Sequence, residues 1–123
     1  MINDWHKFWR FQMPERSIYP DDVENGIMVE FNNIPICSGF IYATSSSSLF
    51  WLEWIVSNPK VKDSKIRKKA INTLLIALTE KIKNSGGRIV FSSATNHNLI
   101  DSYLKTGFIK GSINATELIK IIK

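Results

Sequence analysis

Three consecutive runs carry the topology of this chain: Leu49-Phe50-Trp51-Leu52-Glu53-Trp54-Ile55-Val56, then Ser64 to Lys83 (SKIRKKAINTLLIALTEKIK), then Arg88-Ile89-Val90-Phe91-Ser92-Ser93. The first has strand length and is almost continuously apolar and aromatic, as a central strand covered on both faces should be, and Asn58-Pro59 ends it. In the second, Ile66, Ala70, Ile71, Leu74, Leu75, Leu78 and Ile82 fall on one stripe of a helix. Asp63 or Ser64 can cap its start, and Asn84-Ser85-Gly86-Gly87 supplies the left-handed residues that stop it. The third is a short strand. A strand, a long helix and a strand predict a βαβ unit whose strands are adjacent and parallel, with the helix crossing right-handed over one face.

Upstream, Ile27 to Phe31 and Ile34 to Thr44 are rich in Phe, Ile, Val and Tyr and are separated by Asn32-Asn33, which predicts an antiparallel hairpin. Ser45 to Ser48 joins it to the next strand. The aromatic segment Trp5 to Tyr19 is irregular, Pro14 and Pro20 confine any helix to the part before Met13, and its expected role is to cover one side of the core. Downstream, a short helix from about His97 to Lys105 is stopped by Thr106-Gly107. Phe108 to Gly111 and Leu118 to Ile122 are expected as closing strands, with a terminal helix as the alternative for the second.

At 123 residues the chain has the size of one domain, which buries about two thirds of the surface its unfolded form exposes. Hydrophobic residues at 44% and charged residues at 22% exclude an intrinsically disordered chain. Its longest apolar runs fall well short of the ~20 residues of a membrane-spanning helix. Met1 to Met13 lacks the apolar core of a secretory signal, so the chain reads as a mature cytoplasmic protein. Cys37 is the single cysteine, which excludes an internal disulfide and zinc sites built on cysteine pairs. It lies in the strand-like run Ile34 to Ile41 and reads as a structural thiol. His6 and His97 are too far apart to suggest a metal pair, and no metal is expected. The net charge of +5 is concentrated in Lys60, Lys62, Lys65, Arg67, Lys68 and Lys69, against Asp63 alone. Such a cluster attracts phosphate, whether of a nucleotide cofactor or of nucleic acid.

Asn96-His97-Asn98-Leu99-Ile100-Asp101-Ser102-Tyr103-Leu104-Lys105-Thr106-Gly107-Phe108 sets an Asn seven residues before a Tyr, and a Gly-Phe pair four and five residues after that Tyr. This spacing, together with the order hairpin, strand, long helix, strand and short helix, resembles the GNAT superfamily of N-acetyltransferases from about Gly26 to the end of the chain. The resemblance implies a fold of class α/β (α+β), with a mostly antiparallel mixed sheet, a central parallel pair and flanking helices. It further implies one such domain over residues 1–123, with 1–25 as a short divergent segment.

The resemblance also implies acetyl-CoA as acyl donor and an amine, small molecule or protein, as acceptor, with neither membrane nor nucleic acid as partner. Asn96 would lie beside the pantetheine arm, and Tyr103 would protonate the departing thiolate. The competing reading makes Asn96 a helix cap and Tyr103 a packing residue. Where the superfamily has Arg-x-x-Gly-x-Gly at the start of its long helix, this chain has Arg67-Lys68-Lys69-Ala70-Ile71-Asn72, so both glycines are replaced. The pyrophosphate is expected near the amides of that stretch, with Val56 and Arg67, Lys68, Lys69, Ala70 and Asn72 as its cofactor residues. Glu53, among large apolar groups, is the expected base for the amine. Two alternatives stand beside this activity: a catalytically silent binding or structural module of the same fold, and a nucleic-acid binder using the basic stretch.

Overall fold

The computed structural model describes residues 1–9, 25–120 and 122. Helix α1 (Ile2–Phe8) is followed by strands β1 (Gly26–Phe31), β2 (Ile34–Ala43) and β3 (Leu49–Ser57), helix α2 (Ser64–Asn84), strand β4 (Ile89–Phe91) and helix α3 (His97–Lys105). The four strands form one sheet in the order β1-β2-β3-β4, antiparallel up to β3 and parallel between β3 and β4. This is the predicted βαβ unit. Of the expected Trp5 to Tyr19 segment only the part up to Trp9 lies among the described residues.

The hairpin turn follows from Asn32 and Asn33, whose φ values of 51° and 64° suit the mirror-image turn whose twist matches the flanking strands. Helix α2 lays Leu74, Leu75 and Leu78, all fully buried, onto Ile36, Cys37, Ile41 and Leu52 of the sheet. Burying each such Leu contributes roughly 1.5–3 kcal/mol. The Cys37 thiol is fully buried in this layer and is pushed up to about 12 by desolvation, so it is structural, as expected.

Three expectations are corrected. The second strand of the βαβ unit is shorter than Arg88 to Ser93, because beyond Phe91 the chain leaves β3 and pairs only through side chains. Strand β3 is not covered on both faces: α2 lies on one, whereas Trp51 on the other is 40% exposed. Phe108 to Gly111 and the described part of Leu118 to Ile122 form neither strand nor helix. No ladder takes them up, and Ile109 and Leu118 stand in solvent.

The spacing of the Asn96 to Phe108 stretch has a complete local explanation. Asn96 is the N-cap of α3, its Oδ1 accepting from Leu99 N–H at 3.1 Å. Gly107, at φ 102°, closes the helix: Phe108 N–H reaches the Tyr103 carbonyl at 3.0 Å and Gly107 N–H the Leu104 carbonyl at 3.3 Å. This is the Schellman closure, and its usual apolar contact is made by the Phe108 ring standing edge-on to Tyr103 at 4.8 Å.

Candidate active site

Strands β3 and β4 pair only at Leu49 with Ile89, Phe50 with Val90 and Trp51 with Phe91, and then separate. What drives them apart is in β3. Trp54 has a φ of 60°, and the register against β2 passes from Phe40 opposite Glu53 to Ser38 opposite Val56, so β3 carries one extra residue. A bulge with a non-glycine residue in the left-handed region costs on the order of 1–3 kcal/mol and re-aims the side chains around it.

Two serines bridge the crotch of the gap. Ser92 Oγ donates to the Leu52 carbonyl at 2.6 Å and lies 2.5 Å from the Tyr103 hydroxyl. Because the single serine hydrogen is engaged by Leu52, Tyr103 donates to Ser92. Ser93 Oγ donates to Glu53 Oε1 at 3.2 Å. Burial raises Glu53 to about 6, assisted by the negative charge of Glu117 and opposed by the bond from Ser93. Tyr103 is buried, and desolvation, with a smaller contribution from the nearby Glu53 charge, holds it well above the usual phenol range. At neutral pH Glu53 is mostly an ionised carboxylate and Tyr103 a protonated phenol.

Beyond the crotch a cleft of about 200 Å³ opens between the end of β3 and the starts of α2 and α3. Of the expected cofactor residues, Val56, Arg67, Lys68 and Asn96 line it. Lys69, Ala70 and Asn72 do not, for a geometric reason. One helical stripe takes residues three and four apart, so Ser64, Arg67, Lys68 and Ile71 face the cleft together. Ala70 instead is buried in the core, Lys69 is exposed, and Asn72 has a buried Oδ1 without a partner among the described residues. Tyr103 lies beneath the cleft rather than in its wall. Cleft residues outside the expected set are Ile55 and Ser57 at the end of β3, Ser64 and Ile71 on the α2 stripe, Asn98, Leu99 and Ser102 around α3, and Trp9, an aromatic of the kind that can line a ligand.

Most of the amides at which the pyrophosphate is expected lie inside α2. Helix α2 starts at Ser64, so the N–H of Arg67 already bonds the Asp63 carbonyl at 3.1 Å, and those after it lie inside the helix. The exposed turn is itself capped: Asp63 Oδ1 accepts from Lys65 N–H at 2.9 Å and Ile66 N–H at 3.3 Å. A carboxylate of the chain thus takes the place an anion would occupy. Arg67 is held as well, its Nη2 donating to Ser57 Oγ at 3.1 Å and its guanidinium stacked on Trp9. Among the described residues no group of three or more His, Cys, Asp or Glu could hold a metal ion, and no helix is long and apolar enough to cross a membrane.

An open parallel pair with a bulged central strand, a long helix over one face and a short helix at the gap define the GNAT fold of the acetyltransferases. No family model and no curated protein matches the sequence. Solved structures do match in fold. N-acetylglutamate synthase from Neisseria gonorrhoeae, complexed with coenzyme A and N-acetyl-glutamate, matches with a TM-score of 0.68 and 13% identity over 90% of this chain. That match takes in only 26% of the synthase. An aminoglycoside acetyltransferase from an uncultured soil metagenomic sample, in complex with trehalose, matches at 0.62 and 15% identity, over 97% of this chain and 84% of its own. Glucosamine-6-phosphate N-acetyltransferase from Arabidopsis thaliana matches at 0.54 and 16% identity, over 79% and 69%.

Proposed function

We propose that the protein is an acyl-CoA-dependent N-acetyltransferase in which Glu53 is the base and Tyr103 the acid. The observation that carries this reading is that two consecutive serines just past the point where β3 and β4 part hold the two groups, Ser92 bonding Tyr103 and Ser93 bonding Glu53. Glu53 is raised toward the working range of a general base, and Tyr103 is held protonated. The fold relatives support it, since the synthase carries coenzyme A.

The residues present fit such a donor in part. Arg67 and Lys68 supply cationic side chains for phosphate, and Asn96, whose Oδ1 is engaged by Leu99, keeps its Nδ2 hydrogens as donors for an amide-bearing arm. Backbone amides contribute little, because Asp63 holds them. Acetyl-CoA would supply a thioester whose C–S bond is exchanged for an amide C–N bond with release of the thiol. The ammonium acceptor loses two protons overall. Glu53 takes one and passes it to water; the other restores the Tyr103 phenol after its own proton has gone to sulfur.

Thiol release from acetyl-CoA with a panel of amines tests the assignment. Tyr103→Phe keeps the ring against Phe108 and should lower turnover roughly ten- to ten-thousand-fold at unchanged acetyl-CoA affinity. Equal rates remove Tyr103 from the mechanism.

A second reading, a catalytically silent module of the same fold, is favoured by the Asp63 cap and the Arg67 stack on Trp9, which leave the phosphate grip engaged from within. Acetyl-CoA binding without turnover on any amine would select it.

A further inference from the structure

The sheet face turned away from α2 carries an acid set in an aromatic floor. Trp51 and Phe91, neighbours across the β3–β4 ladder, stand with ring centres 5.5 Å apart and are 40% and 50% exposed. One rung further along the same face is Glu53, bonded to Ser93. On the other flank β2 places Tyr42 opposite Trp51 and Phe40 opposite Glu53, so their side chains share this face. Exposed apolar surface around a single half-buried carboxylate is a poor match for solvent or for an anion. It is a good match for an organic cation, which gains from the negative ring faces and from the carboxylate at once.

We propose that this face is the acceptor site and that it selects amines presented as alkylammonium ions without phosphate or carboxylate nearby, the nitrogen resting on Glu53 and its methylenes across Trp51 and Phe91. The assignment rests on the acyl-transfer reading above for the chemistry, though not for the cation site itself. The chemical class is thus an aliphatic diamine or a lysine-like side chain. An acidic amine would bring its negative charge against Glu53, with Glu117 adding to the repulsion.

The test has two arms. In the first, tetramethylammonium, which cannot be acetylated, is titrated while the indole N–H resonance of Trp51 is followed, the signal being assigned by its loss in Trp51→Phe. A saturable shift at millimolar concentration is expected, and no shift would overturn the cation site. In the second, thiol release is compared for 1,4-diaminobutane and glucosamine 6-phosphate, in the wild type and in Trp51→Leu. The diamine should be favoured at least tenfold in kcat/KM. Trp51→Leu should raise its KM at least tenfold while changing kcat less than threefold, with Phe91→Leu as a second variant should Trp51→Leu fail to fold. Equal use of the two amines, or an unchanged KM in both variants, overturns the proposal. If acetyl-CoA proves not to bind while tetramethylammonium still shifts Trp51, the acyl-transfer reading falls and the cation site stands.

Discussion

Trp9 and Arg67 hold each other across the mouth of the cleft: the guanidinium carbon lies 4.9 Å from the indole centre, and the indole N–H donates to the Ser57 carbonyl at 2.9 Å. Arg67 in turn donates to the Ser57 hydroxyl, so α1, β3 and α2 are tied at one residue. The arginine best placed to meet a phosphate is therefore already engaged by an aromatic ring.

Replacing Trp9 frees that arginine. A cation–π contact of this kind is worth about 0.5–1.4 kcal/mol, so Trp9→Leu should tighten acetyl-CoA binding by about two- to tenfold. Calorimetry on the two proteins side by side is the check. Weaker binding in the variant would mean that Trp9 is part of the ligand's wall and not a competitor for Arg67.

Asp63 offers a parallel case in which capping and charge can be separated. Asn caps helices about as well as Asp, so Asp63→Asn should keep the melting temperature within a few degrees. By removing a negative charge where a phosphate would approach, it should strengthen acetyl-CoA binding several-fold at low salt, an advantage that fades as salt is added. Asp63→Ala should instead cost about 0.5–2 kcal/mol of stability. An Asn variant that binds no better would show that the pyrophosphate does not approach this turn.

Glu53 links activity and stability to pH in opposite directions. As a base it must be ionised, so kcat/KM should rise with pH through about 6 and level off above it. Its folded value lies above its ordinary 4.5, so the folded state favours the protonated form. Its contribution to stability is present in full below about 4.5 and is lost as pH rises through about 6. Glu53→Gln should accordingly melt higher than the wild type at pH 8, and by much less at pH 4, while losing at least a hundredfold in turnover. A flat rate profile between pH 5 and 8 would remove Glu53 as the base.

Much of this was legible in the sequence, and the boundary has physical causes. The Ser64 to Lys83 stripe reads as a helix because its leucines must all reach one sheet, and the Asn32-Asn33 pair reads as a turn because both residues tolerate positive φ. The stretch from Asn96 to Phe108 fell in register with a known pattern because its four residues are, at the same time, N-cap, packing residue, left-handed stop and apolar closure of one helix. The Trp54 bulge left no comparable sign, since nothing in Glu53-Trp54-Ile55 announces an extra residue. Of Arg67 to Asn72 only Arg67, Lys68 and Ile71 line the cleft, because a helix turns one stripe toward it. The expected closing strands were apolar enough, but a strand exists only with a partner, and β4 ends at Phe91.

The central claim is that the cleft between β3 and the starts of α2 and α3 receives acetyl-CoA. Titrating the purified protein with acetyl-CoA by calorimetry, while following the side-chain amide signals of Asn96 and Asn98 by NMR, tests it most directly. Saturable heat below millimolar concentration, with both asparagines shifting and Asn72 unmoved, is the predicted result, because Asn96 and Asn98 line the cleft and Asn72 does not. No heat and no shift at Asn96 up to millimolar acetyl-CoA would contradict it.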